Sequence, residues 1–500
     1  MRASAVLTAF AGWAIWAGPC AAQVEHAPAS PRLALASAEN GAPAKDVGGP
    51  SALTQALKAG HLARKTCDWV FIAKRSASTV GSVDDHEGEI EQVRAPEINE
   101  ALHLVSVPFA ASDTPRLAAF RGDFGCILLP IGAQASFLDK LPSPPPRHLQ
   151  PAAATAAWPQ GDVTHPERRE LSDEKRRSIA AIVDGAFTGK YGPLARTSGV
   201  VVVYRGEIVA EQYRSGMDYR TPIRTYSAAK SFASTMIGIA VQKGHLGGVN
   251  DKLTIPQWKS ADPRSEITYD QLLHMKSGLS NPRPDEGGYT PMAYDGGVDV
   301  AEASWRRTLV RPPGKTWLYS NLDVLLAVSS LRNKINDDVA YWSILPDLFS
   351  TLNMRDTVAE TDAYGNYVLS SMVQTTPRDL ARLGLLYLAD GVWNGVRILP
   401  KGWVNYVAKP TDWTDRVTTG PIAISVKPEN GYGAFFWLPR LASDIPAGSY
   451  MAHGNGGNRM FVLPARNLII ARMANDATSR CHGTECFDED RFFSDIARAL

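Results

Sequence analysis

The chain has 500 residues, of which 44% are hydrophobic and 21% charged, with a formal net charge of +1. That length allows two or more domains, and the composition is that of a globular protein rather than a disordered or fibrous one. The near-neutral balance forces no broad basic face, which argues against a nucleic-acid partner.

Residues 1–22 read as a secretory signal. Arg2 gives a positive start, Ala5 to Gly18 is apolar but too short to span a bilayer, and Cys20-Ala21-Ala22 offers small residues for cleavage. The expectation is a periplasmic or secreted protein without stable membrane insertion. Four cysteines would then remain: Cys67, Cys126, Cys481 and Cys486. An even count in an oxidising compartment points to disulfides. The favoured pairing is Cys67–Cys126 within one small domain and Cys481–Cys486 as a tight loop.

Residues 23–50 are rich in Ala, Pro and Gly and read as a flexible lead-in. Residues 51–135 read as a small α+β module. It has a short helix over 51–62 and strands at 68–75, 103–110, 116–122 and 126–132. Residues 136–165 carry a Pro run and an Ala run, which predicts a semi-extended linker. The main domain occupies 166–500. It opens with a helix over 171–188 and a β-hairpin over 198–213 that turns at Arg205-Gly206.

The run Tyr226 to Lys243 (YSAAKSFASTMIGIAVQK) reads as a buried helix opened by Ser227. Lys230 lies one turn on, on the same face. A serine hydroxyl needs a base within hydrogen-bond reach to become a nucleophile. A lysine serves as that base when burial or nearby positive charge lowers its pKa. The helix N-terminus also directs free N–H groups at a developing oxyanion. Ser-x-x-Lys alone recurs by chance, so the rest of the chain must support it.

Further along, 267–280 reads as a helix. Residues 281–300 are Gly- and Pro-rich, and are expected to form a lid carrying Tyr289 and Tyr294. Residues 312–330 read as a turn, then Tyr319-Ser320-Asn321, then a helix. Residues 375–391 form an amphipathic helix capped by Thr375 or Thr376. Strands follow at 432–439, 458–464 and 467–475, with a closing helix at 492–500. His274, Trp393, Trp403 and Trp437 read as core residues. No metal-ligand spacing appears, so neither metal nor cofactor is expected.

Ser227-Ala-Ala-Lys230, Tyr319-Ser-Asn321 and His453-Gly-Asn-Gly-Gly457 together resemble the three motifs of the serine β-lactamase and penicillin-binding superfamily. Tyrosine in the second motif, with QLLHMKSGLS, PPGKTWLYSN and TPRDLARLGLLYL, is similar to the class C branch. The likeness spans about 170–500, and HGNGGNRMFVLP is similar to the 6-aminohexanoate-oligomer hydrolases and related esterases. The resemblance implies an α+β fold: an antiparallel sheet flanked by helices, plus a helical part holding Tyr319. It implies that Ser227 is the nucleophile, that Lys230 takes its proton or holds Tyr319 in a state that can, and that Tyr319 shuttles a proton to the leaving group, with the Lys230 charge favouring its ionised form. Asn321 would orient Lys230 or the substrate. An oxyanion hole would pair the Ser227 N–H with one from Asn455 to Asn458, near Gly456 and Gly457.

The third motif departs from the usual Lys-Thr-Gly. His453 stands where a lysine would meet a substrate carboxylate. The expected activity is hydrolysis of a small-molecule amide or ester through an acyl-enzyme. The alternatives are a cell-wall-directed D-amino-acid peptidase or β-lactamase, and a non-catalytic sensor that keeps the fold. Oligomeric state is left open.

Overall fold

The computed structural model describes residues 51–79, 93–146, 155–164, 171–281, 290–412, 431–439, 445–476 and 483–500. The expected signal and lead-in lie outside these residues.

Helix α1 (Ala52–Cys67) starts at Ser51, whose hydroxyl accepts from the Thr54 N–H. Its buried face is built from Ala56, Ala59, Gly60 and Ala63. Such small residues let the helix lie close on an antiparallel sheet of β1 (Glu97–Asn99), β2 (Leu104–Phe109), β3 (Ser112–Phe120) and β4 (Cys126–Leu128). The Cys67–Cys126 disulfide joins the end of α1 to β4. The strand expected over 68–75 is absent. Asp68–Ile72 instead continues α1 as a π-helical turn. A short apolar run such as WVFI does not itself distinguish strand from helix, and here the helix before it carries through.

The linker reading of 136–165 also gives way where the chain is described. Ala135–Lys140 is a 3₁₀ turn. Residues 155–164 are packed down. The buried Trp158 donates its indole N–H to the Gly206 carbonyl (2.9 Å). Arg382 lies 4.6 Å over the Trp158 ring and donates to the carbonyls of Pro159 and Gly161 and to Asp162 (3.0, 2.7 and 2.6 Å). The Pro/Ala composition was a poor guide because one tryptophan and one aspartate anchor the segment.

α2 (Asp173–Gly185) is capped by Ser172. The hairpin β5 (Thr197–Tyr204) and β6 (Glu207–Tyr213) turns at Arg205 and Gly206, both left-handed (φ 50 and 87). This is the paired positive φ that a two-residue hairpin turn requires. β7 (Ile223–Arg224) leads into α3 (Ala229–Gln242). α4 (Tyr269–Leu273) is shorter than the helix expected over 267–280. Thr268 and Gln271 form its capping box, and Met275 in the left-handed region (φ 55) ends it. α5 (Thr290–Asp295), α6 (Val300–Trp305), α7 (Asn321–Ile335) and α8 (Asp338–Thr351) follow. β8 (Val358–Ala359) and β9 (Val373–Thr375) complete a three-stranded ribbon ordered β7-β9-β8.

After α9 (Pro377–Leu388) come the small hairpin β10 (Val392–Trp393) and β11 (Val396–Arg397), then α10 (Trp403–Val407). β12 (Gly431–Tyr432), β13 (Trp437–Leu438), β14 (Tyr450–Gly454), β15 (Asn458–Leu463) and β16 (Leu468–Ala474) join β5 and β6. They make a seven-stranded antiparallel sheet ordered β12-β13-β14-β15-β16-β5-β6. α11 (Glu489–Ala499) closes the chain.

The sheet is covered on both faces. On β15, Phe461 stacks on Phe493 of α11 (4.8 Å), while its neighbour Met460 faces Gly384 of α9. Alternate side chains of a strand point to opposite faces, so β5, β15 and β16 are mainly apolar on both and are buried almost along their lengths, with polar residues such as Arg459 and Arg472 toward their ends. α3 runs between this sheet and the helices α7 and α8, and all its residues but Val241 and Gln242 are buried. Among the described residues no helix is long and apolar enough to cross a membrane.

Arg382→Leu should unfold the 155–164 anchor. It would remove the nearer cation of Asp162, leaving Arg378 at 4.0 Å, and leave the buried Asp379, 2.8 Å from Arg382, without its cation. The expected loss is about 3–5 kcal/mol in urea unfolding. A loss below about 1 kcal/mol would show that these charges are solvated in the folded protein.

Candidate active site

The site is built where β7 meets α3. Thr225 is held by its N–H to the Val373 carbonyl (2.9 Å). The next residue, Tyr226, has φ 50, a left-handed conformation that a bulky side chain adopts only under constraint. The Arg224 guanidinium lies 4.5 Å over the Tyr226 ring and donates to Ser371 Oγ (2.7 Å), which helps hold the bend. The 3₁₀ turn Tyr226–Ala228 then delivers Ser227 to the start of α3. Ser227 is half-buried, and Ala228, Ala229 and Lys230 behind it are buried.

The Lys230 amine is 1% exposed and makes three contacts. Nζ lies 2.9 Å from Ser227 Oγ, 2.7 Å from Asn321 Oδ1 and 2.8 Å from the Ser370 carbonyl. The last two partners can only accept. A neutral amine has two N–H donors and one lone pair. With both donors on these carbonyls, the lone pair faces the Ser227 hydroxyl. Burial, with no facing carboxylate among the described residues, holds the Lys230 pKa well below the ordinary lysine value.

Tyr319 sits over this group, its ring 5.0 Å from Lys230 Nζ. Its backbone is clamped from both sides. Asn281 Nδ2 donates to the Tyr319 carbonyl (3.1 Å), and Ser320 donates to Asn281 Oδ1 (2.7 Å). The wholly buried pair Arg307–Asp323 (2.6 Å) anchors the first turn of α7 beneath. Burial raises the Tyr319 pKa well above the ordinary tyrosine value, and its hydrogen bond with Ser227 opposes this only in part. Burial thus shifts Lys230 toward the neutral amine and Tyr319 toward the protonated phenol.

The third motif lies alongside. A Cβ on Gly454 would stand 1.9 Å from the Thr225 carbonyl oxygen, so β14 passes against the turn that carries Ser227 through a glycine of the third motif. Gly456 and Gly457, expected near the oxyanion hole, are left-handed (φ 69 and 85) and end the β14–β15 turn. A Cβ on Gly457 would meet Arg472 Nη1 and Asp476 Oδ2, so this glycine makes room for a buried ion pair. Asn455 is exposed at the turn tip, and its carbonyl accepts from Asn458 Nδ2 (2.7 Å). His453 is half-buried, its ring 5.7 Å from that of Trp437. Trp437 in turn lies 5.6 Å from Tyr319. Trp437 is core and also one wall of the site.

Tyr294 donates to Ser370 Oγ (2.8 Å), one residue-length from the carbonyl that holds Lys230. It is anchored in α5, whereas Tyr289 lies outside the described residues. Ser370 had no sequence signal, because the atom it contributes is a main-chain oxygen. Cys486 is disulfide-bonded, and its expected partner Cys481 lies outside the described residues. His274 and Asp270 pair at 3.2 Å, and Trp393 and Trp403 are buried, as core residues.

The sequence model of the Beta-lactamase family matches residues 194–486, more than half of the chain. The chain belongs to the β-lactamase family. It is a serine hydrolase with the mixed α/β fold of that family. The matched span holds Ser227, Lys230, Tyr319 and His453 to Gly457 and leaves out the N-terminal sheet module. The chain is 23% identical over 334 residues to the 6-aminohexanoate-dimer hydrolase of Paenarthrobacter ureafaciens, covering 61% of this chain and 79% of that one. Two solved structures share the fold. EstCE1, a hydrolase with promiscuous acyltransferase activity, is 16% identical with a TM-score of 0.51, covering 65% of this chain and 99% of its own. A β-lactamase/D-alanine carboxypeptidase of Yersinia pestis is 17% identical with a TM-score of 0.50, covering 66% and 99%.

Gly454→Val should push the Thr225 carbonyl away and displace Ser227. The expected result is a folded β-lactamase-family hydrolase whose labelling by a fluorophosphonate slows by about 10²-fold. Unchanged labelling would mean that β14 yields without moving the nucleophile.

Proposed function

We propose that this enzyme hydrolyses amides or esters through an acyl-enzyme on Ser227, with Lys230 as base. The observation that carries the reading is the buried Lys230 amine, 2.9 Å from Ser227 Oγ, with its other directions taken by two carbonyl acceptors. As Ser227 Oγ attacks the substrate carbonyl, its proton passes to the Lys230 lone pair. The ammonium so formed keeps the Asn321 and Ser370 acceptors, which become stronger partners for a charge. Tyr319, still protonated, donates to the leaving nitrogen or oxygen. The proton held by Lys230 then passes to the Tyr319 oxygen, which restores both groups; in the second half Lys230 takes a proton from the attacking water and Tyr319 returns one to Ser227 Oγ as the acyl bond breaks.

For the substrate, we favour a linear aliphatic acyl group of the 6-aminohexanoate-oligomer kind, with no charge close to the scissile amide. Tyr319 and Trp437 offer an apolar wall, and the third motif supplies His453 in place of a lysine. The nearby Arg459 is already committed to Glu489 and to the Gly454 carbonyl. A cell-wall D-amino-acid peptide or a β-lactam presents a carboxylate, and His453 meets it with charge only when protonated. Covalent labelling by a fluorescent penicillin would turn the assignment toward that second class. Export to an oxidising compartment fits the buried Cys67–Cys126 disulfide.

Incubation with a p-nitrophenyl ester should give a burst of nitrophenol and an acyl adduct on Ser227 by peptide mapping. Ser227→Ala should abolish both, and Lys230→Met should slow acylation by roughly 10²–10⁴-fold. Retention of the burst in Ser227→Ala would discard the nucleophile.

The pH profile follows from the two shifts. Activity needs a neutral lysine and a protonated tyrosine. kcat/KM should therefore rise through an acid limb well below the ordinary lysine range and hold until above the ordinary tyrosine range. An acid limb at the ordinary lysine value would exclude Lys230 as the base.

A further inference from the structure

Beside the catalytic residues runs a buried polar seam that the reaction does not use. Here α1 and β4 meet α5 and the segment from β8 to β9. The backbones approach closely. A Cβ on Gly60 would stand 2.4 Å from the Asp295 carbonyl oxygen, and one on Gly125 2.5 Å from Glu360 Cγ. The Thr361 N–H donates to the Phe124 carbonyl across the same seam (3.2 Å).

Charged side chains fill it. Arg64 is 3% exposed and donates to Asp295 (3.3 Å) and to Asp68 (3.4 Å). His61 Nδ1 lies 3.3 Å from the same Asp295 oxygen. Gln374 bridges Asp68 and Glu360 (3.0 and 2.7 Å). α1 thus grips the last residue of α5 by a close backbone contact and two side chains.

That grip reaches the reaction in two further contacts. Tyr294, next to Asp295, donates to Ser370 Oγ, and the Ser370 carbonyl accepts from Lys230. A lysine side chain has rotational freedom at every methylene, so its lone pair stays on Ser227 only while both acceptors stay in place. One acceptor, Asn321, belongs to α7. The other, Ser370, is buttressed by α5, and α5 is held by α1.

We propose that Gly60, His61 and Arg64 of α1 are positioning residues for the catalytic lysine, acting through the Asp295–Tyr294–Ser370 contacts. The inference rests on Lys230 being the base for Ser227. It assigns residues 51–135 a part in catalysis, although they lie outside the family match. The titratable groups facing Lys230 are Tyr319 from the start of α7 and, beyond Ser370, Tyr294 from α5. The Arg224 cation of β7 stands 5.8 Å over the Tyr294 ring.

The test uses the full chain and three variants: Gly60→Ala, Tyr294→Phe and the double substitution. Fluorophosphonate labelling rates are measured across pH, together with kcat and KM on a p-nitrophenyl ester. Each single variant should label about 10- to 100-fold more slowly, with KM within about twofold. The acid limb should move to lower pH, because the ammonium form loses an acceptor. The double variant should be no slower than Tyr294→Phe, since both act on one path. A merely structural role would lower the active fraction and leave the limb in place. His61→Gln, which preserves side-chain volume, replaces Gly60→Ala if the latter does not fold. Wild-type protein that labels on Ser227, with single variants within twofold of it and an unmoved limb, overturns the inference. So does a double variant whose effects multiply. Wild type without a Ser227 adduct overturns the Lys230 reading, and the inference with it.

Discussion

A buried lysine amine with no carboxylate partner among the described residues, that of Lys230, is the constraint on which the rest of this structure depends. Desolvation penalises its charged form and lowers its pKa, 2.9 Å from Ser227 Oγ. A buried neutral amine still needs its N–H groups satisfied. Asn321 and the Ser370 carbonyl do that, and they lie 91 and 140 residues further along the chain. Three distant segments must therefore converge on one nitrogen to set the Ser227–Lys230 contact.

Much of the surrounding architecture supplies that convergence. The Arg307–Asp323 pair, wholly buried, fixes the turn from which Tyr319 and Asn321 project. Removing one partner would strand a charge in the interior, so the pair holds its geometry firmly, whatever its net contribution to stability. Gly454 lets β14 lie against the Thr225 carbonyl. The Arg472–Asp476 pair, with Gly457 fitted against it, stiffens the end of the same strand. On the far side, α1 packs on α5 through Gly60. Each support works by leaving backbone no room to move, and three depend on a glycine where a Cβ would collide.

The parts legible in the sequence are those coded locally. Ser227 and Lys230 sit one helical turn apart. Arg205-Gly206 takes the two left-handed conformations of a tight hairpin turn. Thr376 caps α9 by accepting from the Asp379 N–H. The misreadings share one physical origin. Asp68–Ile72 has strand-like residues but continues a helix, because its neighbours decide between two conformations its own residues allow. Residues 155–164 look like linker until Arg382, more than 200 positions away, is seen to hold them. Gly454 sits inside the third motif, yet only the fold brings it against the Thr225 carbonyl beside Ser227.

The sequence alone determined the chemistry available: a serine, a lysine and a tyrosine in three spaced motifs, and a histidine in place of the third motif's lysine. Those are identities, and spacing along a helix turns two of them into neighbours. Tertiary structure decided their protonation, because a pKa depends on solvent exclusion and on partners brought from afar. Burial lowers the Lys230 pKa and raises that of Tyr319. Tertiary structure also chose Ser370, whose contribution is a carbonyl every residue possesses, so no side-chain pattern could single it out.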